Sequence, residues 1–216
     1  MPWMGYFVGQ PCCGWSLTSM SCIREATQDD AAAIAAVYAP YCRTTPISFE
    51  IEAPSAEEIR ERIAKVLPLY PWLVCEIEGR VVGYAYAARH RERAAYRWGV
   101  DVAVYLDGAC HRRGIGRALY SALLQMLVAQ GYYTAYAGVT LPNEASVGLH
   151  RAMGFEPVGV YHRVGYKMGA WHDVIWLEKF LQPQQGEPSE PIPASELRGS
   201  PNWTAALRDG ERLLRA

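Results

Sequence analysis

The stretch from Val100 to Gln130 constrains the fold of this chain more than any other part of the sequence. Valine and leucine alternate with other residues over 100–106, which is the period-two pattern of a strand with one apolar face. A polar, glycine-containing loop over 107–116 follows, and an apolar pattern of helical period then runs from Ile115 to Gln130 and stops at Gly131. The sequence therefore predicts a strand, a loop and a long helix in direct succession.

The predicted loop has the features of an anion-binding site. Gly114 and Gly116 place no side chains over the first-turn amides, so these N–H groups and the positive end of the helix dipole are open to a ligand. A dinucleotide fingerprint would need a third glycine where Leu119 stands, and a P-loop would need Gly-Lys-Ser/Thr, which is absent. We therefore expect a pyrophosphate site that follows neither of these two motifs.

Composition limits the partners. The chain has 216 residues, half of them apolar, and a formal net charge of −1, so we expect one core and no extended basic face for nucleic acid. Its six cysteines form no CxxC pair, which argues against a zinc ribbon and favours a reduced, cytoplasmic protein. Residues 1–21 lack the charged start of a signal peptide and are too interrupted by glycine and proline for a membrane helix, so we predict a poorly ordered extension.

The remaining elements are predicted from periodicity and from helix-capping and turn signals. The predicted helices cover 31–38, ended by Pro40, 55–66, opened by the capping box Ser55-Ala-Glu-Glu58, and 143–153. The predicted strands cover 23–26, 72–77, 81–88, 134–139, 158–164 and 174–180. Residues 182–216 are rich in proline and polar residues, so we expect a disordered or loosely attached tail with a frayed helix over 203–215.

Several blocks resemble one family in the same order along the chain. The loop resembles the Q/R-x-x-G-x-G/A motif of the GNAT N-acetyltransferases, and the blocks at 71–74, 81–87, 95–100, 143–155 and 164–177 resemble the phosphinothricin and methionine sulfoximine acetyltransferases. The resemblance covers about residues 22–181. It implies an α+β GNAT fold, in which a mixed, mostly antiparallel central sheet is flanked by helices and is splayed at the acetyl-CoA site.

The resemblance also implies which residues contact acetyl-CoA, with no metal ion required. His111 stands where the family carries Gln or Arg, which weakens one side-chain contact and leaves the backbone cradle intact. Backbone N–H groups around Val104 to Leu106 are expected near the thioester oxygen, which gathers negative charge during attack. The implied coenzyme-binding residues are Val104, Tyr105, Leu106, His111, Arg112, Arg113, Gly114, Ile115, Gly116, Arg117, Asn143 and Ser146.

Two residues are candidates for proton transfer. Asp101 stands where the resembling enzymes carry a catalytic Glu, so the resemblance implies a base that deprotonates the amine directly or through water. His150 stands where many GNAT enzymes carry a Tyr that protonates the departing thiolate, and imidazole can donate such a proton. The alternatives are a solvated strand-edge carboxylate for Asp101 and a capping or core-edge histidine for His150.

The acceptor is expected to carry a carboxylate. Arg91 and Arg93 would point the same way in an extended segment, and two guanidinium groups can clamp one carboxylate. Tyr96 and Phe49 are further candidates for substrate contacts. The resemblance implies direct acetyl transfer to the α-amine of a small amino acid or analogue of the phosphinothricin, methionine sulfoximine or methionine sulfone type. It also implies a homodimer, to which the aromatic block at 171–176 could contribute.

Two other functions stay open at this point. The same chemistry could act on a polyamine, an aminoglycoside or a protein N-terminus, although a cationic acceptor would need an acidic cleft and the segment at 89–97 is rich in arginine. A non-catalytic sensor of acyl-CoA would keep the loop over 111–117 but would not need Asp101 or His150.

Overall fold

The computed structural model describes residues 21–214, so the predicted N-terminal extension lies almost wholly outside the described residues. Within 21–214 the chain forms one sheet of seven strands in the order β1-β2-β3-β4-β5-β7-β6, antiparallel throughout except for the pair β4 and β5. The strands are β1 (Ser21–Glu25), β2 (Trp72–Ile77), β3 (Arg80–Arg89), β4 (Gly99–Leu106), β5 (Thr134–Thr140), β6 (Glu156–Lys167) and β7 (Ala170–Phe180). The predicted α+β fold with a mixed, mostly antiparallel sheet is confirmed.

Helices cover both faces of the sheet. Across the described residues they are α1 (Ala31–Arg43), α2 (Ala56–Val66), α3 (Ile115–Gln130), α4 (Glu144–Ala152), α5 (Ala194–Leu197) and α6 (Pro201–Glu211). The apolar side of α3 packs with Val100 and Val102 on one face, whereas α1 and α2 pack on the other face with Trp72 and Tyr84. The central strand β4 is therefore covered on both faces, and the site residues that it carries are fixed in place.

Most predicted helix ends are confirmed by the contacts that form them. The Ser55 side chain accepts from the Glu58 N–H, and the Glu58 carboxylate accepts from the Ser55 N–H at 2.7 Å, which is the predicted capping box. Gly131 ends α3 in the left-handed region at φ 91°. The Asn143 side chain caps α4 by accepting from the Ser146 N–H at 3.1 Å.

Pro40 does not end the first helix, so that prediction is wrong. Helix α1 continues to Arg43, and the Thr44 N–H donates to the Pro40 carbonyl at 2.9 Å. Proline removes a single helical hydrogen bond at this position. Burial of Cys42 in the core beyond it, with 1% of its surface exposed, favours continuing the helix.

The hairpin of β6 and β7 is longer than predicted. Pairing extends from Glu156 with Glu178 to Lys167 with Ala170, whereas the sequence predicted only 158–164 and 174–180. Almost all of β6 is exposed, so its side chains do not alternate between core and solvent. A prediction from alternation therefore recovers only part of such an edge hairpin.

The segment after Leu181 is not a loosely attached tail, which corrects the prediction for 182–216 over its described part. The Gln130 side-chain amide donates to the Ile192 carbonyl at 2.8 Å, and the Ile192 N–H donates back to the Gln130 carbonyl at 2.8 Å. Helix α6 begins at Pro201 behind a Ser200 cap, and Trp203 is buried with 1% of its surface exposed. A Cβ at Gly210 would lie 2.8 Å from the Ala118 carbonyl, so α6 packs directly against α3.

Candidate active site

A slot opens in the sheet where β4 and β5 diverge. The two strands pair only over Gly99–Asp101 and Thr134–Tyr136, whereas β3 pairs with β4 along Val100 to Leu106. Beyond Asp101, one edge of β4 therefore has no neighbouring strand within residues 21–214. This is the splayed sheet that the resemblance to the GNAT family implied.

The peptide groups of Val104 and Leu106 face this slot. The Asp107 N–H donates to the Val82 carbonyl of β3 at 2.8 Å, and successive residues of a strand direct their N–H groups to opposite edges. The amides of Val104 and Leu106 therefore point away from β3, while that of Tyr105 points toward it. The hydroxyl of Tyr41, from α1, lies on this edge: it donates to the Leu106 carbonyl at 2.6 Å and accepts from the Leu106 N–H at 3.4 Å. The Leu106 amide therefore already has a partner in the cleft.

The loop after β4 brings an uncapped helix to the mouth of the slot. Its chain reverses through left-handed residues at Arg112 (φ 63°) and Gly114 (φ 81°). The first helical hydrogen bond runs from the Ala118 N–H to the Gly114 carbonyl at 2.9 Å, and no side chain caps the helix. The N–H groups of residues 115–117 are therefore free to bind an anion, as predicted.

Gly116 packs closely against α4 and leaves the first-turn amides accessible. A Cβ at this position would lie 3.0 Å from the Leu149 Cδ2 of α4. The contact holds the start of α3 against α4, so the two helix beginnings form one wall of the cleft. A larger residue would separate them or cover the free amides.

The slot and the loop together form a cleft of about 820 Å³. Its lining residues are Tyr41, Ile47, Val104, Tyr105, Leu106, His111, Arg112, Gly114, Ile115, Gly116, Arg117, Asn143, Glu144, Ala145, Ser146 and Leu149. Eleven of the twelve predicted coenzyme residues lie in this lining. Arg113 is the exception, and it is half-buried. Burial raises the pKa of the Cys75 thiol of β2, and the charge of Arg113 lies close enough to oppose that rise, so Arg113 lies on the sheet side of the loop.

Asp101 is the last residue of β4 that pairs with β5. Its carboxylate accepts a hydrogen bond from the His90 Nδ1 at 2.6 Å. Burial raises the pKa of Asp101, and the hydrogen bond and charge of His90 together with the charge of Arg91 oppose that rise. A partly buried carboxylate with a raised pKa is a suitable proton acceptor for an amine.

His90 was not among the site residues predicted from the sequence. The register of β3 and β4 pairs Ala88 with Asp101. His90 follows the end of β3, two positions after Ala88, and its side chain reaches the Asp101 carboxylate. His90 lies in the polar run 89–97, where it resembles any other residue of a solvated loop. Antiparallel pairing of the two predicted strands was the available signal, but it identifies the contact only when the register is known.

His150 lies in the core and not in the cleft. It is 3% exposed, its Nδ1 donates to the Ser146 carbonyl at 2.7 Å, and its Nε2 accepts from the Tyr120 hydroxyl at 3.0 Å. Burial lowers the pKa of His150, which favours the neutral ring. This geometry supports the core-edge alternative for His150.

The predicted substrate residues Arg91, Arg93, Tyr96 and Phe49 do not line the cleft of about 820 Å³, and they differ in their surroundings. Arg89 pairs with Glu92, and Arg97 pairs with Glu190, whereas Arg91 and Arg93 are exposed and make no ion pair within residues 21–214. Tyr96 is half exposed, with its ring centroid 6.2 Å from that of His90. Phe49 packs over Gly165 of β6, where its ring would meet a Cβ at 2.3 Å.

The described part of the chain offers neither a metal site nor a membrane span. Residues 21–214 contain no group of three or more His, Cys, Asp or Glu side chains arranged to hold a metal ion. No helix within the same residues is long and apolar enough to cross a membrane.

Comparison with known proteins identifies relatives of this fold and site. A family model described as "Acetyltransferase (GNAT) domain" matches residues 23–176. A phosphinothricin N-acetyltransferase of Streptomyces viridochromogenes is 39% identical over 171 residues, which cover 79% of this chain and 93% of that protein. An L-methionine sulfoximine/L-methionine sulfone acetyltransferase of Pseudomonas paraeruginosa is 33% identical over 168 residues, which cover 77% of this chain and 98% of that one.

Solved structures agree with the sequence relatives. The crystal structure of a phosphinothricin acetyltransferase from Sinorhizobium meliloti in complex with acetyl-CoA superposes with a TM-score of 0.76 at 31% identity. The match covers 80% of this chain and 95% of that one. Residues 182–214, including α6, lie after the end of the family match.

Proposed function

This chain belongs to the GNAT acetyltransferase family, and we propose that it transfers acetyl from acetyl-CoA to the α-amine of a small amino acid or analogue. Phosphinothricin, methionine sulfoximine and methionine sulfone are the acceptors named for relatives that are 33–39% identical to it. Acetylation of such an amine removes its positive charge at neutral pH.

One observation carries the proposal: the unpaired edge of β4 opens onto the uncapped start of α3 in a single cleft. The free amides at 115–117 and the helix dipole suit a pyrophosphate. The slot between β4 and β5 suits a narrow chain such as pantetheine, which would bring the thioester toward Asp101. The cationic side chains of Arg112 and Arg117 line the same cleft.

The chemistry proposed is direct transfer without a covalent enzyme intermediate. Asp101 takes one proton from the acceptor ammonium, and the freed amine nitrogen bonds to the thioester carbon. The carbon–sulfur bond then breaks, the sulfur leaves with the bonding electron pair, and the second proton of the amine nitrogen passes to it, so that CoA is released as the thiol. The N–H of Val104 donates to the carbonyl oxygen while it carries negative charge, and the N–H of Leu106 joins it by exchanging its 3.4 Å contact with the Tyr41 hydroxyl for that oxygen. His150 is buried with both ring nitrogens bonded, so we assign it no role in protonating the thiolate.

The acceptor carboxylate is assigned to Arg91 and Arg93. These are the two arginines of the segment 89–97 whose charges are not already paired within residues 21–214, and Arg91 lies close enough to influence the pKa of Asp101. A carboxylate bound there would place the neighbouring α-amine near the base. Tyr96 and Phe49 are proposed as contacts to the remainder of the acceptor.

A thiol-release assay with acetyl-CoA and a panel of acceptors tests the proposal. The panel contains methionine sulfoximine, methionine sulfone, phosphinothricin, methionine, spermidine, an aminoglycoside and a peptide N-terminus. We expect turnover with the first three and weak or no turnover with the cationic amines. Tight binding of acetyl-CoA without turnover of any acceptor would instead identify a sensor, and turnover of only the cationic amines would contradict the assigned acceptor class.

We also propose that the chain forms a homodimer through the β6–β7 hairpin. Tyr166 and Trp171 are 58% and 62% exposed, and their rings contact each other on an edge hairpin that has no neighbour on its β6 side within residues 21–214. Covering such a face would remove apolar surface from water. Sedimentation velocity should give a dimer for the wild type and a monomer for Trp171→Glu; a monomeric wild type would contradict the assignment.

A further inference from the structure

The side chain of His90 is largely shielded from solvent, in a segment that is otherwise exposed. Its side chain is 11% exposed, whereas residues 91–97 are all exposed. Burial of a histidine costs solvation of its polar nitrogens unless they gain partners. A solvated loop does not explain why the His90 side chain is shielded from solvent.

Three aromatic rings from three separate elements hold the His90 ring. Tyr136 of β5 stacks on it with ring centroids 4.2 Å apart and planes 20° apart. Trp176 of β7 and Tyr96 of the short 3₁₀ turn meet it edge-on, at 6.1 Å and 6.2 Å. The ring plane is therefore fixed before any substrate binds.

The fixed ring directs one nitrogen at the proposed base. The His90 Nδ1 lies 2.6 Å from the Asp101 Oδ1, and a carboxylate oxygen can only accept, so Nδ1 carries the hydrogen. The other carboxylate oxygen, Oδ2, makes no hydrogen bond to any side chain or backbone group of residues 21–214. The Asp101 side chain is 36% exposed, so the carboxyl group is not sealed from the surface.

A second His–Asp pair lies on the protein surface and provides a comparison for the His90–Asp101 pair at β4. His162 Nδ1 lies 3.0 Å from the Asp173 Oδ2 on the β6–β7 hairpin, where the His162 side chain is 78% exposed. There the Arg163 N–H also donates to the carboxylate, and that hydrogen bond holds the pKa of Asp173 low, whereas burial raises the pKa of Asp101. The same two side chains thus occur once on the surface and once in a partly buried position beside the slot.

We propose that His90 is a positioning residue for the acetyl transfer: its Nδ1–H fixes the Asp101 Oδ1, turns Oδ2 toward the acceptor amine and keeps the carboxylate ionised. The inference rests on the proposed function. In the step itself, the ammonium proton moves to Oδ2 and the amine keeps its electron pair for attack on the thioester carbon. The Nδ1–H stays on His90 throughout, so no proton is gained or lost by the ring.

Other charged and titratable groups surround the pair and must be kept constant in a test. They are Arg91 of the following loop, Tyr86 of β3, Tyr96 of the 3₁₀ turn, Tyr136 of β5 and Glu178 of β7, which lies near the Tyr136 hydroxyl. Substituting His90 leaves all five in the chain. A change in the titration of Asp101 can therefore be attributed to the lost imidazole.

Two substitutions separate the hydrogen bond from the packing. His90→Phe keeps a flat ring among the three aromatics and removes the donor. His90→Asn keeps a donor near the place of Nδ1 and removes the ring. His162→Phe is the matched control, because it removes the same donor from the exposed pair.

The experiment combines a carboxyl ¹³C NMR titration of Asp101, assigned by its loss in Asp101→Asn, with kcat and KM measured against pH. For His90→Phe we expect the Asp101 carboxyl to titrate at higher pH, the acidic limb of kcat/KM to move with it, and kcat to fall by about 10-fold, the effect of one hydrogen bond to a charged group. The KM for acetyl-CoA should not change. His90→Asn should restore most of kcat, and His162→Phe should match the wild type.

An unchanged Asp101 titration in His90→Phe would overturn the inference, and so would a fall in kcat that His90→Asn does not reverse, because that result indicates packing alone. If His90→Phe does not fold, His90→Gln replaces it, since its longer side chain carries the amide past the position of Nδ1. If the wild type acetylates no acceptor, the proposed function fails and the role of His90 in transfer fails with it. The NMR titration would still show whether the hydrogen bond holds the carboxylate.

Discussion

The two ends of β4 contribute to the cleft in different ways. At Val104 and Leu106 the strand has lost its neighbour β5 and presents peptide groups to the slot. At Asp101, where β4 and β5 still pair, the strand instead presents a side chain, fixed by His90. At roughly 3.3 Å per residue along a strand, Asp101 lies about 10 Å from Val104 and about 16 Å from Leu106.

This difference separates binding from chemistry. Peptide groups and the amides at 115–117 are present whatever side chains surround them, so that end should tolerate most substitutions that leave the backbone in place. At the Asp101 end, the proposed chemistry depends on one carboxylate. We therefore expect changes near Asp101 to lower kcat and changes near Gly116 to weaken acetyl-CoA binding, with little overlap.

The largest effect is expected from Asp101→Asn. The amide keeps the shape of the carboxylate but cannot take the amine proton, so kcat should fall by about 10²- to 10⁴-fold, the usual contribution of a general base. Steady-state kinetics with methionine sulfone would measure it. Asp173→Asn, which alters the exposed His–Asp pair, should leave kcat within about twofold of the wild type.

Gly116→Val should act at the opposite end. The new Cβ would meet the Leu149 Cδ2 at 3.0 Å and push α3 away from α4, so the dissociation constant of acetyl-CoA should rise by about 10- to 100-fold, as overpacking of 1–3 kcal/mol implies. Isothermal titration calorimetry would measure it. Gly148→Val is the control, because a Cβ at Gly148 meets nothing within 4 Å. Equal losses in both variants would contradict the role of Gly116.

Replacing Arg91 and Arg93 together by Ala should affect the acceptor alone. Loss of a charged hydrogen-bonding partner for the carboxylate should raise the KM for methionine sulfone by about 10-fold, while the KM for acetyl-CoA stays constant. Arg97→Ala, whose partner is Glu190, serves as the control. A KM for the acceptor that does not move would remove the two arginines from the site.

His150→Phe should reduce stability without slowing the reaction. The Tyr120 hydroxyl, which is fully buried, would lose its acceptor, so the free energy of unfolding should fall by about 1–3 kcal/mol. Urea unfolding and kcat measured on the same preparation would separate the two quantities. A fall in kcat of more than tenfold in the folded variant would return His150 to the chemistry.

The smallest effect is expected in the pH dependence of folding stability, through the proposed base Asp101. Burial raises the pKa of Asp101 in the folded state, so its contribution to stability is present below the unfolded pKa and is lost as the pH rises through the folded pKa. Asp101→Asn removes the partly buried charge. Its Tm relative to the wild type should therefore be more favourable at about pH 7 than at about pH 3, measured by calorimetry. The reverse order would contradict the raised pKa.

The end of the site that is formed by the peptide groups of Val104 and Leu106 was predictable from the sequence. At the other end, Asp101 was predictable and His90 was not. Alternation over 100–106, the glycines and the end of the helical pattern at Gly131 are local signals, and each corresponds to the observed β4, loop and α3. Asp101 could be chosen from the resemblance. His90 could not, because its contact depends on the register between β3 and β4.

The same distinction explains the wrong predictions about the fold. Pro40 and the run after Leu181 carry strong local signals for a helix end and for disorder. Tertiary contacts override both: Cys42 is buried beyond Pro40, and Trp203 is buried against the sheet and α3 beyond the proline-rich run. Residues 158–167 show the opposite case, because an exposed edge strand gives no inward pattern to detect.

Calorimetric titration of acetyl-CoA into the wild type and into Asp101→Asn tests the separation of the two ends most directly. We predict measurable binding to both proteins, with dissociation constants that agree within about twofold, because the amides at 115–117 and the slot at 104–106 are unchanged. Absence of binding to the wild type, or loss of binding in Asp101→Asn, would contradict the account.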